Sequence, residues 1–270
     1  AIRGTDATGI SYNCKNNLVI HKEPKSAYKM KFKHFDNTVA VMGHTRHSTQ
    51  GSEKKNYNNH PFMGKCKNAR FTLAHNGIIC NDTDLRISYN IPKTKIETDS
   101  YIAVQLIEKK KQLDNGSIKF MSESVNGSFT FSILDDKNIL YLVKGDNPLS
   151  IIHFPKYKLY VYASTDEILY KALIGTNLFK EIKSGNFEEI EIKSGEILII
   201  CTCGKILRDK FKYEDYSYCG LYDWRRYGLN DDYITDLKSV SKYYGYEPDD
   251  IDVLIEEGFS PEEIEEFIYT

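Results

Sequence analysis

Gly43-His44-Thr45-Arg46-His47-Ser48-Thr49-Gln50-Gly51 follows the apolar run Thr38-Val39-Ala40-Val41-Met42, and His75-Asn76-Gly77-Ile78-Ile79 follows Arg70-Phe71-Thr72-Leu73-Ala74 in the same manner. Short apolar runs closed by Gly or Asn-Gly read as strands that hand over to loops. Working outward, residues 129–133 alternate, turn at Asp135-Asp136 and return as residues 139–143, which predicts a hairpin. Residues 158–162 and 196–200 read as further strands, and Cys14 falls on another. Ser164 and Glu167 have capping-box spacing and predict a helix start between those two strands. A second helix is expected from 99 to about 111, with Ala103, Leu106 and Ile107 on one face. Many antiparallel strands with few helices imply an α+β layered fold.

Composition narrows the class. Hydrophobic residues make up 41% and charged residues 27%, as in ordinary globular proteins. No apolar run reaches the ~20 residues that span a bilayer. The opening Ala1-Ile2-Arg3-Gly4-Thr5-Asp6 has no apolar signal core, and without an initiating Met the chain is expected to begin mid-sequence. Six cysteines at irregular spacing do not form a disulfide framework, which fits a reducing, cytoplasmic compartment. Cys201-Thr202-Cys203-Gly204 reads as a strand end entering a turn, because no second pair of metal ligands follows. The net charge of −2 is unevenly spread. Ten acidic residues and no Lys or Arg follow Lys242, so the first 242 residues carry 36 cationic and 28 acidic side chains, a net of +8. That mild excess does not point to nucleic acid.

Three regions are expected. Residues 1–210 form the strand-rich domain, 211–246 an aromatic linker with Tyr216, Tyr218, Tyr222, Trp224, Tyr227 and Tyr233, and 247–270 an acidic helical tail. In the tail Ile251, Leu254 and Ile255 recur 13 residues later as Ile264, Phe267 and Ile268, with starts marked by Pro248 and Ser260-Pro261. These stripes are read as core.

The chemistry-bearing residues lie in four motifs: Arg3-Gly4-Thr5-Asp6-Ala7-Thr8-Gly9-Ile10; the 43–51 stretch with Asn59-His60-Pro61-Phe62; Leu73-Ala74-His75-Asn76-Gly77-Ile78-Ile79; and Glu97-Thr98-Asp99-Ser100. Arg46 offers paired donors to a carboxylate. Asp99 offers a partner to an ammonium. Together they suit a free α-amino acid. The Asn76 amide and the Gly77 N–H are a candidate oxyanion pair, and the Thr49 hydroxyl a further positioning group. Taken singly, Asn76-Gly77 also reads as a tight turn, Arg46 as a surface ion pair and Asp99 as a helix cap. His44, His47 and His60 lack the spacing of a metal site. The set holds no nucleophile.

In order and rough spacing these motifs resemble the glutaminase domain of class II glutamine amidotransferases, a family that includes glucosamine-6-phosphate synthase and glutamine phosphoribosylpyrophosphate amidotransferase. The resemblance runs over about residues 1–205 and takes in Gly127-Ser128-Phe129, Ala163-Ser164-Thr165-Asp166-Glu167 and Lys193-Ser194-Gly195-Glu196. It implies the four-layer αββα sandwich of antiparallel sheets of N-terminal-nucleophile hydrolases, with a small helical C-terminal tail appended here. It implies that Arg46 and Thr49 bind the glutamine α-carboxylate and Asp99 the α-amine. Asn76 and Gly77 would hold the oxyanion and Arg3 support the nucleophile's surroundings. His75 is a further substrate-side candidate. His47 stands where many members have Trp or Tyr and Gln50 where some have His. No cofactor and no metal are implied.

The family's nucleophile is an N-terminal Cys activated by its own α-amine, well before the Arg-Gly-x-Asp motif. The resemblance therefore implies a Cys upstream of Ala1 and no glutaminase activity for residues 1–270 alone. Cys219-Gly220 imitates such a start but leaves too little chain behind it. The alternatives are a catalytically inactive glutamine-binding or scaffold domain and an amidase for another amide, which the Arg46–Asp99 pair disfavours. No second synthase domain is legible. The ammonia acceptor is expected to be water or a separate synthase subunit, with the aromatic segment and acidic helices as the contact.

Overall fold

The computed structural model describes residues 4–15, 17–32, 38–47, 50–213, 245–259 and 261–269, together with Ile234, Leu237, Lys238 and Ser241. The chain divides into two units, Ala1–Glu214 and Asp215–Thr270.

The first unit is organised on β5 (Arg70–Ile79) and β6 (Gly127–Asp135), which pair antiparallel from Phe71↔Asp135 to Ile79↔Gly127. β4 (Phe62–Lys65) flanks β5, and β7 (Leu140–Lys144), β11 (Glu196–Ile200) and β12 (Ile206–Lys210) continue beyond β6 as an all-antiparallel six-stranded sheet. Strand side chains alternate between faces, and here both faces are buried. Phe71, Leu73, Phe129, Phe131, Ile133 and Val143 share one core with α2 (Tyr101–Lys109) and α3 (Asn115–Ser124). Ala74, Leu134, Leu142 and Leu198 line the other core.

That second core lies between sheets. It takes Leu18 from β2 (Asn17–Glu23), Met42 from β3 (Val41–Arg46) and Ile151 from β8 (Ser150–Phe154). β2 and β3 flank β1 (Ala7–Cys14) in one three-stranded sheet. β8 lies between β10 (Glu188–Glu189) and β9 (Leu159–Ala163) in another. Ser11 and Thr72 join β1 to β5 through a buried hydroxyl pair at 2.8 Å. Behind β8 and β9, Ile152 and Phe154 pack on Leu169 and Leu173 of α4 (Asp166–Leu173), with Leu178 and Phe179 of α5 (Asn177–Lys183) against them. The layers are thus helices, sheet, sheet, helices, the αββα order that the resemblance implied. α1 (Asp82–Ser88) adds Leu85 to the first core.

Several sequence expectations are corrected. β3 begins only at Val41 and continues through Gly43-His44-Thr45-Arg46, so the motif is strand up to Arg46. Asn76-Gly77 is not a turn, because β5 pairs with β6 as far as Ile79, and Gly77 absorbs the irregularity with φ +135°. The α4 cap is Thr165, whose hydroxyl accepts from the Ile168 N–H at 3.3 Å, one residue after the expected Ser164. The 99–111 helix runs from Tyr101 to Lys109.

In the second unit, α6 (Pro248–Glu256) and α7 (Pro261–Tyr269) bury Ile251, Ile255, Ile264 and Ile268 against Leu237. Gly245-Tyr246-Glu247-Pro248 and Gly258-Phe259-Ser260-Pro261 precede them as a repeat, both glycines at positive φ. Phe267, expected in that core, is 59% exposed and meets the Tyr246 ring at 5.9 Å. The aromatic positions 216–233 lie outside the described residues. Among the described residues no helix is long and apolar enough to cross a membrane.

Leu106 is fully buried between sheet and helix, whereas Leu207 on β12 is exposed. Leu106→Ala is expected to cost about 2–5 kcal/mol through lost burial and a cavity, and Leu207→Ala less than about 0.5 kcal/mol. Urea unfolding curves compare them, and equal losses would contradict this core.

Candidate active site

β1 and β3 pair so that Ala7 lies opposite Arg46, which brings the first motif against the second. The Asp6 N–H donates to the Arg46 carbonyl at 3.1 Å. A Cβ on Gly4 would stand 2.6 Å from the Arg46 carbonyl carbon, so only glycine permits this approach. Arg3 itself, like Thr49, lies outside the described residues.

Arg46 is 5% exposed. Its guanidinium donates to Asn59 Oδ1 at 2.8 Å, to the Gly51 carbonyl at 2.8 Å and to the Gln50 carbonyl. Asn59 is held in turn by its amide donating to the Glu53 carbonyl at 2.8 Å. Burial lowers the Arg46 pKa, while the charges of Asp99, Glu53 and Asp6 favour its cation. A guanidinium carries five N–H donors, and three bonds are made from it within the described residues.

Asp99 is 5% exposed. Its carboxylate accepts from the Ile79 N–H at 2.7 Å and from the Ser100 hydroxyl at 3.2 Å. Burial pushes its carboxyl above the usual range, opposed by those bonds and by Arg46. Gln50 links the Arg46 guanidinium to the backbone of Asp99. Its backbone carbonyl accepts from Arg46, and its side-chain Oε1 accepts from the Asp99 N–H at 3.0 Å. The loop carrying Gln50 is thereby tied to both the Arg46 side chain and the chain segment that carries Asp99.

Alternation along β5 points the Asn76 side chain toward the inter-sheet layer. Asn76 Nδ2 is buried and has no hydrogen-bond partner among the described residues. Buried donors are almost always satisfied, so this atom is poised for an acceptor from elsewhere. A Cβ on Gly77 would lie 2.0 Å from the Ser128 carbonyl oxygen, which excludes every other residue. His75 faces the opposite side, its ring tilted against Phe131 at 4.7 Å, with Nδ1 2.9 Å from the Ser100 hydroxyl. It therefore braces Asp99 from behind. His47 is peripheral, its Nδ1 3.6 Å from Asp6 and its side chain 42% exposed.

The structure thus joins Arg46, Gln50 and Asp99 directly. It ties Asn76-Gly77 to them through β5, because Ile79 of the same strand binds Asp99. Sequence reasoning missed Asn59 and Ser100 as supports, although both lie in quoted motifs. It also missed Lys22, whose ammonium donates to the Asn59 carbonyl and, at 3.1 Å, to the Pro61 carbonyl. Burial and Arg46 push Lys22 down to about 8. Among the described residues no group of three or more His, Cys, Asp and Glu could hold a metal ion.

Residues 44–171 match a family model described as a glutamine amidotransferase domain. Glutamine–fructose-6-phosphate aminotransferase of Bacillus thuringiensis subsp. konkukian is 33% identical over 159 residues, covering 55% of this chain and 26% of that protein. The enzyme of the same name from Staphylococcus aureus strain Mu50 is 32% identical over 157 residues, covering 54% and 26%. Matched segments therefore span about a quarter of the curated relatives' length. The solved glutamine phosphoribosylpyrophosphate amidotransferase from Bacillus subtilis, complexed with ADP and GMP, superposes with a TM-score of 0.60 at 20% identity, covering 90% of this chain and 52% of that one. At that identity the likeness speaks for the fold.

Behind the site, the His44 and His60 rings meet at 4.2 Å between centroids, tilted by 37°, with His44 Nε2 2.9 Å from the His75 carbonyl. Burial holds His44 and His75 down at about 4 and His60 well below its ordinary value. In the unfolded chain these rings titrate near pH 6.5. Their folded pKa is depressed, so the stability they allow is present above about pH 6.5 and is lost as pH falls toward 4. Asp82, Asp99, Glu108 and Asp135, whose folded pKa values are raised by burial, act in the opposite sense and offset part of this loss. The urea midpoint is expected to drop between pH 7 and pH 5. A midpoint unchanged over that interval would refute the buried neutral histidines.

Proposed function

We propose that this chain carries a glutamine amidotransferase domain, like the family that residues 44–171 match, that the Arg46–Gln50–Asp99 cluster binds free glutamine and that the parent protein hydrolyses the side-chain amide to glutamate and ammonia. The observation that carries this is the buried Arg46 and Asp99 tied through Gln50, with Asp99 held by the strand that also carries a buried Asn76 donor with no partner among the described residues.

In this reading the glutamine α-carboxylate meets Arg46, with Thr49 assisting, and the α-ammonium meets Asp99. The side-chain carbonyl then lies toward Asn76 Nδ2 and the Gly77 N–H. A cysteine thiolate attacks the carbonyl carbon, and the oxyanion gathers those two donors. The C–N bond breaks as a proton passes to the departing nitrogen, and ammonia leaves a glutamyl thioester. Water adds to the thioester, the thiol is regenerated and glutamate departs.

The thiol belongs, in this proposal, to a cysteine upstream of Ala1 whose α-amine is the base, with Arg3 near it. The described cysteines are poorly suited to the part. Cys80 is four residues beyond Asn76, about 13 Å along an extended strand. Cys14 ends β1 at the opposite end from Ala7. Cys66 is buried, its thiol pushed up to about 11. Cys201 and Cys203 lie at the β11–β12 turn on the far edge of the sheet. The relatives' name specifies fructose 6-phosphate as the partner of glutamine; for this chain the ammonia acceptor is proposed to be water or a separate synthase subunit. The protein is proposed to act in the cytoplasm.

The test is glutamate and ammonia release by the full-length protein from its native gene. Asn76→Ala is expected to lower kcat by about 10²–10³-fold, as loss of one oxyanion donor does. Arg46→Ala and Asp99→Asn are expected to raise KM at least tenfold. A full-length protein that binds glutamine by calorimetry yet releases no ammonia would instead be a glutamine-binding domain.

A further inference from the structure

The loop between β7 and β8, Gly145-Asp146-Asn147-Pro148, closes over β5 and β6 at Gly77 and Phe129, which lie opposite one another. Gly145 N–H donates to the Phe129 carbonyl at 3.0 Å, and the Phe129 N–H donates to Asp146 Oδ1 at 2.8 Å. Asn147 Nδ2 donates to the Asn76 carbonyl at 2.8 Å. The Asn147 carbonyl accepts from the Thr130 hydroxyl at 2.7 Å, and Thr130 is the residue facing Asn76 across the ladder. Asn147 is therefore clamped at both its backbone and its amide.

We propose that Asn147 is a positioning residue that aims the Gly77 N–H at the developing oxyanion. The inference rests on the oxyanion reading of Asn76 and Gly77 given above. Asn76 C=O and Gly77 N–H belong to one planar trans peptide, so the two bonds point in opposite directions. Fixing the carbonyl fixes the N–H. The clamp is needed because the torsion that would swing this peptide is the φ of a glycine, set at +135°, and glycine tolerates many values there. A hydrogen bond to the carbonyl also polarises the peptide and strengthens its N–H as a donor.

The choice of asparagine follows from the contact. The acceptor is a carbonyl, so the group 2.8 Å away must be the amide nitrogen. Aspartate has the same shape but would set a carboxylate oxygen against the Asn76 oxygen. Alanine would leave that oxygen without its side-chain donor. Pro148 restricts Asn147 to extended backbone, so the side chain is aimed before any ligand arrives. The fit is close, since a Cβ on Gly77 would stand 2.6 Å from Asn147 Nδ2.

The experiment compares the full-length native protein with N147A and N147D. Both variants are expected to lower kcat for glutamine hydrolysis by about 10- to 100-fold, with KM for glutamine and Kd for glutamate within about twofold, because Arg46 and Asp99 are untouched. The isosteric N147D is expected to be no better than N147A. The Gly77 amide cross-peak in ¹H–¹⁵N spectra is expected to shift or broaden in N147A while Tm changes little. An unchanged kcat in N147A overturns the proposal, as does a fall in kcat matched by a rise in KM and in Kd. If the wild-type protein released no ammonia, the hydrolytic reading would fail by itself. The Gly77 signal would then decide the positioning, and a signal unmoved by N147A overturns it.

Discussion

The antiparallel pairing of β5 with β6, unbroken over nine residue pairs from Phe71 to Ile79, is the interaction that positions nearly everything else. It sets which side chains enter the helix-facing core and which enter the inter-sheet core. It also carries the candidate oxyanion donors at 76 and 77 and the Ile79 N–H that holds Asp99. One strand thus fixes two parts of the site at a separation set by extended backbone. A slip of one residue would exchange the faces, sending Asn76 toward the helices and His75 between the sheets.

A second constraint is electrostatic. Placing Arg46 and Asp99 nearly out of solvent is costly for each alone. The fold meets the cost with short polar arms: loop carbonyls and Asn59 for the cation, a backbone N–H and a hydroxyl for the anion. Gln50 ties the two segments together, its carbonyl on the Arg46 guanidinium and its side-chain oxygen on the Asp99 N–H. These bonds hold both side chains in fixed positions.

How much of this was legible in the sequence depended on the type of residue. Arg46, Asp99, Asn76 and Gly77 stand out because charge, an amide and a glycine beside apolar runs are uncommon combinations. The layered α+β class followed from strand runs, and its layer order from the resemblance. Gln50 was noted only as a variation in a motif, since nothing in a linear sequence tells that its two oxygens accept from Arg46 and from the Asp99 N–H. Asn147 gave no signal at all, because its meaning comes from lying over Gly77, 70 positions earlier. Asn76-Gly77 misled as a turn because local propensity lost to long-range pairing with β6. The short strands β2, β4 and β12 were missed for a similar reason, as each is defined by its neighbour more than by its own residues.

The crowding at Gly9 belongs with that at Gly77. A Cβ at Gly9 would stand 2.0 Å from the His60 carbonyl oxygen. Most positions in a core tolerate drift by degrees, since a larger or smaller side chain costs more or less and neighbours can compensate. A position where a backbone oxygen occupies the space of the first side-chain atom offers no such gradation. Evolution can recolour the surface of this domain and repack its layers, but at these two glycines it has no adjacent step to take.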